Sequence, residues 1–260
     1  MSTHTTAGRP AAVSVTVPLG AICVEVRADV ETASLSLAPH LGTDTAAAGA
    51  LAAAVITEAD SEDGPTLTVR LPRRPAAFRR TGFVTALVTD HDGRPAGQVV
   101  ASSGETTTVN GHIVGENAAV RVPTGALDAV LIVPAGTRLL LEAGDGTITT
   151  RGPAGQVTAA LRSGTVQVEH AETVVAAVGS GSIQVGVVEN VEATVATFGG
   201  IQIGRITGSA VLRTGYGAIR ARTSTADVSA CSGSGEVEIT TIPAAPAPGT
   251  HPAHGLAHVR

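Results

Sequence analysis

Tryptophan is missing from this sequence, and phenylalanine (three), tyrosine (one) and methionine (one) are nearly so. The 43% apolar content therefore rests almost wholly on Ala, Val, Leu and Ile. Such side chains fill stacked strands well and make poor walls for a roomy ligand cavity, which is ordinarily lined by aromatics. Lysine is missing too: all seventeen basic residues are Arg, a bias of the kind a GC-rich genome imposes. The formal net charge of −5 leaves no excess of positive charge for sequence-independent contact with phosphates, so no nucleic-acid partner is expected. The one basic cluster, Arg73, Arg74, Arg79 and Arg80, is interrupted by Pro75 and reads as a solvated loop.

Cysteine is limited to Cys23 and Cys231, too far apart in sequence to suggest a disulfide framework or a zinc site, and both read as small apolar residues. No stretch approaches the ~18 uninterrupted apolar residues of a membrane span. Residues 1–10 are polar and lack the apolar core of a secretory signal. A cytoplasmic protein with no membrane span is the expectation.

Chemistry is thin as well. The densest titratable cluster, Asp90, His91 and Asp92, falls in a turn followed by Gly93. Gly179-Ser180-Gly181-Ser182 lacks the helix that must follow a nucleophile elbow. His251, His254 and His258 lie in a Pro/Gly/Ala segment that cannot fix ligand geometry. No catalytic, cofactor-binding or metal site is expected, and hence no enzyme.

What is present is a repeat. The unit Gly-x-[Ile/Val]-x-[Val/Ile/Ala/Thr] begins at Gly146, Gly164, Gly181, Gly199, Gly217 and Gly235, at intervals of 18, 17, 18, 18 and 18. A second alternating strand precedes most units, as in Val157/Ala159/Leu161 before Gly164 and Val174/Ala176/Val178 before Gly181. Before Gly199 the register slips, with Val195 and Thr197 expected inward. Fainter echoes are Gly111-His112-Ile113, and Ala129-Val130-Leu131 with Ala129 in the glycine place.

Equal repeats with inward residues of one size class can lie on one another, each pairing with the next at ~4.8 Å. The fold expected is all-β: a β-solenoid or β-helix-like stack of about eighteen-residue coils. One buried row would be Ile148, Val166, Ile183, Ile201, Ile219 and Val237, and a second Thr150, Val168, Val185, Ile203, Ala221 and Ile239. A meander or sandwich of hairpins would not demand so even an interval.

Around the repeat, residues 1–11 read as a disordered tail and 12–75 as a small α+β cap containing one helix. Residues 76–242 read as the repeat domain, and 243–260 as a disordered Pro/Ala/His tail. The helix is expected in the Ala-rich stretch 45–58, capped by Thr43 or Asp44, with Leu51 and Val55 one turn apart and Gly49 weakening it.

The outward column Gln167, Gln184, Gln202 and Arg220 forms a polar face and is the candidate binding or assembly surface, with the glutamines able to bond along the stack. Phe198 and Tyr216 precede adjacent repeat glycines and are expected to stack at a corner. The neighbouring column Thr147, Thr165, Ser182, Gly200, Ala218 and Glu236 loses its hydroxyls halfway, against an ice-binding array.

The passage Leu131-Ile-Val-Pro134-Ala-Gly136-Thr-Arg-Leu139, then Gly146-Thr-Ile148, then units such as Val211-Leu-Arg-Thr-Gly215-Tyr216-Gly217-Ala-Ile219, resembles the bacterial putative-adhesin family of β-strand-repeat proteins, a domain of unknown function. The resemblance covers roughly residues 118–239. It implies a right-handed solenoid-like fold and offers no catalytic residue.

The function expected is a non-catalytic scaffold or interaction module without cofactor, working on an unknown protein partner or by self-association through the solenoid ends. Two alternatives stand beside it: a self-assembling filament protein of the bactofilin type, and a glycan-binding adhesin. A carbohydrate-active enzyme would need an acidic cluster on one wall, and the acids here are scattered.

Overall fold

A computed structural model describes residues 1–40, 45–60, 64–71, 126–223 and 227–241 in full, and the backbone alone of residue 61 and of six strands between 72 and 125. In chain order the elements are β1 (Ser2–Thr5), β2 (Ala12–Arg27), β3 (Ser34–Pro39), α1 (Thr45–Ala52), β4 (Val55–Ser61), β5 (Gly64–Arg70) and β6 (Phe78–Arg79). Then come β7 (Phe83–Thr89), β8 (Pro95–Ser102), β9 (Thr107–Val109), β10 (His112–Gly115), β11 (Val122–Pro123) and β12 (Leu127–Pro134). The chain ends with β13 (Arg138–Phe198), β14 (Ile201–Tyr216), β15 (Ile219–Thr223), β16 (Asp227–Ser234) and β17 (Val237–Thr241). The protein is mostly strand, with one helix among the described residues and an open main sheet.

The repeat pairs with itself in parallel, rung on rung, and not through hairpins. Ile183 lies opposite Ile201, Ile201 opposite Ile219 and Ile219 opposite Val237. The second wall stacks likewise, with one extra residue in the upper step: Val191 opposite Ala210 and Ala210 opposite Val228, Ala193 opposite Leu212 and Leu212 opposite Ala230. Alternation places Ile148, Val166, Ile183, Ile201 and Ile219 in the core, fully buried, as the sequence pattern requires. Each such side chain contributes roughly 1.5–3 kcal/mol by leaving water.

At each repeat glycine the backbone turns with φ between +132° and +150°, a region closed to residues with a Cβ. The stack imposes a second demand. A Cβ at Gly164, Gly181, Gly199 or Gly217 would sit 1.5–1.8 Å from the carbonyl oxygen of the repeat glycine one rung before it. Glycine is required there twice over, by conformation and by close approach.

Several expectations are corrected. Ala12–Arg27, assigned by sequence to a cap, is a rung of the main stack: Gly20 lies opposite Gly146, Ile22 opposite Ile148, and Val13 opposite Leu139. On its other side β2 pairs in parallel with β5 through its first half and with β12 through its second. β5 and β12 thus share one layer, and the chain between Leu71 and Ala126 departs and returns within it. Leu127, not Ala129, occupies the glycine place, and Ala129 lies opposite Ile22.

Strands β7, β8, β9 and β10, in a stretch read as part of the repeat, form an antiparallel sheet of their own in the order β10-β9-β8-β7, where His112 and Ile113 pair antiparallel with β9 and not as a parallel rung. The helix stops at Ala52, and Val55, Ile56 and Thr57 go into β4, since β-branched residues favour strand. The expected tail at 1–11 contains β1, paired antiparallel with β3, and Thr6 is buried. The caps Thr43 and Asp44, the clusters Arg73/Arg74/Arg80 and Asp90/His91/Asp92, Gly111 and the segment 243–260 lie outside the described residues.

The two ends of the stack differ. At the N-terminal end, antiparallel β3 covers β12, β1 covers β3, and β4 covers β5. Helix α1 adds Ala47 and Ala50 to the core, and the His4 ring bonds Glu58 at 2.7 Å, tying β1 to β4. At the C-terminal end the last rungs are β16 and β17, each with a strand partner on one side only among the described residues. There Val237 and Ile239, in the columns of Ile219 and Ala221, are both 41% exposed, a correction to the expectation that Val237 is buried.

Candidate functional site

Outward positions on a parallel stack line up as columns because rungs pair in register. Gln184 lies opposite Gln202, Gln202 opposite Arg220, and Arg220 opposite Glu238. The Gln167 amide donates to the Gln184 side-chain oxygen at 3.5 Å, a long bond at the edge of the useful range. Lower down the column becomes ionic: Arg220 approaches Glu238 at 3.4 Å and Glu236 at 3.7 Å. These outward side chains therefore stand in one column, and its lower end is an exposed ion-pair group.

Phe198 and Tyr216 sit on adjacent rungs just before Gly199 and Gly217, with ring centroids 5.3 Å apart and planes 24° from parallel. They are 69% and 58% exposed, so they plug no corner. Phe198 reaches this position through an irregularity, the chain taking three steps from Val195 to Phe198 against two from Thr214 to Tyr216 on the next rung. Val195 is buried as expected, but Thr197 points out and bonds to Ser180 Oγ at 2.5 Å and to the Gly179 carbonyl at 2.6 Å.

On these same two rungs the column beyond the corner falls to Gly200 and Ala218, whereas Thr165 and Ser182 above carry hydroxyls that bond each other at 3.3 Å. The missing side chains leave an open depression of about 150 Å³ lined by Ser182, Gln184, Gly200, Gln202, Ala218 and Arg220. Among the described residues, an aromatic before the corner and a dip after it coincide on the rungs of Gly199 and Gly217, with Gln202 and Arg220 beyond the dip.

A second, wider groove of about 290 Å³ lies on the other wall, floored by Ala160, Ala177 and Ala196 and bordered by Glu142, Arg162 and Thr194. Sequence reasoning passed it over, because its alanines read as filler. Its visible signal is the outward row Glu142, Ala160, Ala177, Thr194 at repeat spacing. Arg162 is held at its rim by Asp145, with Nε at 3.1 Å from the carboxylate. The hydrogen bond and then the charge of Asp145 raise the guanidinium pKa, so Arg162 stays cationic.

Nothing in either depression assembles a nucleophile with a base. Ser180 bonds to Thr197, and the segment after it is strand. Among the described residues no three His, Cys, Asp or Glu side chains gather as a metal site, and no helix is long and apolar enough to cross a membrane. Cys23 is half-buried and Cys231 exposed, and both are free thiols.

No protein-family model matches the sequence, and no curated protein matches it. Among solved structures, that of a putative cell adhesion protein from Clostridium sporogenes is similar to this chain, with 10% identity and a TM-score of 0.31 over 93% of this chain and 99% of that one.

Proposed function

We propose that this chain is a non-catalytic, right-handed β-solenoid of about eighteen-residue coils that acts as a scaffold or interaction module, holding one side wall rigid for a macromolecular partner. The hand follows the rule that parallel strands joined by a crossover turn to the right. The observation that carries the reading is the exposed Phe198–Tyr216 stack. The sequence holds four aromatic residues, and two of them are set side by side in solvent on rungs whose inward residues are buried. Large exposed aromatics on a rigid support are the usual anchors of recognition.

The test is comparative capture from the native cell by the wild type and by the double variant Phe198→Ala/Tyr216→Ala. A partner held by the first and released by the second supports the reading. Identical capture by both would overturn it.

A glycan-binding reading has one observation in its favour, the dip beside the aromatics with Gln184, Gln202 and Arg220 along it. Sugar faces stack on aromatic rings while amides and guanidinium meet hydroxyls. Retention on a polysaccharide array that is lost with Gln184→Ala/Gln202→Ala supports it. The filament reading has less support, because β1, β3, β4 and α1 cover one end of the stack.

A further inference from the structure

We propose that the C-terminal end of the stack is an interface with a second copy of this chain, the two joined tail to tail about a two-fold axis through β16 and β17. The proposal is independent of the aromatic wall.

Among the described residues the end is built as an interior and left open. Val237 and Ile239 continue the columns of Ile219 and Ala221, and they are 41% exposed where those columns above are at most 2% exposed on the preceding rung. On the other wall Val228 and Ala230 continue Ala210 and Leu212 and are only partly covered. The outer edges of β16 and β17 carry a row of backbone donors and acceptors with no strand beside them among the described residues. An apolar, unpaired strand edge is a template for another strand.

The occupant follows by comparing what is at hand. A copy's N-terminal end does not match: its outermost strands β1 and β4 are antiparallel additions with mostly polar, exposed side chains, tied to each other by the His4–Glu58 bond. The chain's own continuation carries Pro243, Pro246, Pro248 and Pro252, and no Pro-free run as long as five-residue β17 occurs before residue 253. Proline cannot donate to a ladder, so that segment cannot lay down the next rung directly. Among the surfaces described for this chain, the one that matches is the same end of a second copy. A two-fold axis makes such a contact self-complementary and sets the edge strands antiparallel, the natural pairing of identical edges. Because the end is only two short strands wide, the contact falls below the ~800 Å² per partner of a standard interface. Association is therefore concentration-dependent, with dissociation roughly in the micromolar range.

The experiment is sedimentation velocity on the full chain over a wide concentration series, for the wild type, Val237→Lys/Ile239→Lys, and a chain ending at residue 242. The expected result is a monomer–dimer equilibrium in the wild type that stops at two. The double variant should remain monomeric, with an unfolding midpoint matching that of dilute wild type. A nitroxide on Cys231, with Cys23→Ser, should show a narrow intermolecular distance in the wild-type dimer. Four outcomes would overturn the proposal: a monomer throughout, oligomers growing beyond two, a dimer that survives the lysines, or a dimer that forms only after residues 243–260 are removed. The last would make that segment the occupant.

Discussion

Gly199 lies directly beneath Gly181, so close that a Cβ at 199 would stand 1.5 Å from the Gly181 carbonyl oxygen, with φ at +138° besides. Its neighbour Gly200 has no such constraint: a Cβ there would meet the Ala218 oxygen at 3.1 Å. Gly199→Ala should cost about 3 kcal/mol or more, since neither backbone can yield without breaking the ladder. Gly200→Ala should stay within about 1 kcal/mol of wild type. Urea unfolding of the two variants checks the contrast, and equal costs would mean the column is not under steric load.

Thr150 stands among valines, between Val24 on one rung and the buried Val168 column on the next, and its hydroxyl oxygen is buried with no hydrogen-bond partner. A buried, unmade hydrogen bond costs about 1–3 kcal/mol, and valine has nearly the same shape without it. Thr150→Val should raise stability by about 1 kcal/mol in thermal or urea unfolding. A loss of stability would reveal a partner for the hydroxyl.

Position in the stack should grade the cost of shortening a side chain. Ile201, buried between Ile183 and Ile219, should lose about 0.5–1.5 kcal/mol on replacement by Val and about 2–5 by Ala. Val237→Ala, at the open end, should cost less than about 1 kcal/mol in the dilute monomer, because its side chain is already partly in water. Similar costs at the two positions would place the end rung inside a covered core.

The two exposed rings should be energetically coupled yet dispensable for folding. A double-mutant cycle on Phe198→Ala and Tyr216→Ala should return about 0.5–1.5 kcal/mol of interaction. Neither single variant should shift the unfolding midpoint by more than that interaction accounts for. A large loss from Phe198→Ala alone would make the ring a structural part of the rung.

The repeat from Gly146 onward was legible because its inward residues belong to one size class and its glycines keep an interval near 18. The rung Gly20-Ala21-Ile22-Cys23-Val24 fits the same unit and was passed over, since its spatial neighbours are far away in sequence. Periodicity reports local succession, and β2 is inserted between rungs that the chain makes much later. Thr197 defeated a simple alternation because an irregularity next to it resets the pleat. The helix was drawn too long because alanine count hid the β-branched residues 55–57. Of the candidate site, the Gln column and the aromatic pairing could be read from spacing. The exposure of the rings and the dip beside them could not, because both depend on how the corner turns.

The placement of β2 also sets an order of events. Rungs from Gly146 to Gly235 close over about eighteen residues each, whereas Gly20 meets Gly146 only after 126 residues of chain have been made. On the logarithmic scaling of loop closure that joint carries an extra ~1.7 kcal/mol of chain entropy. Folding should therefore begin in the later rungs, whose contacts are local, and finish when the amino-terminal strand slots between β12 and β13. On a ribosome, β2 is made long before the rungs it joins and has to wait for them.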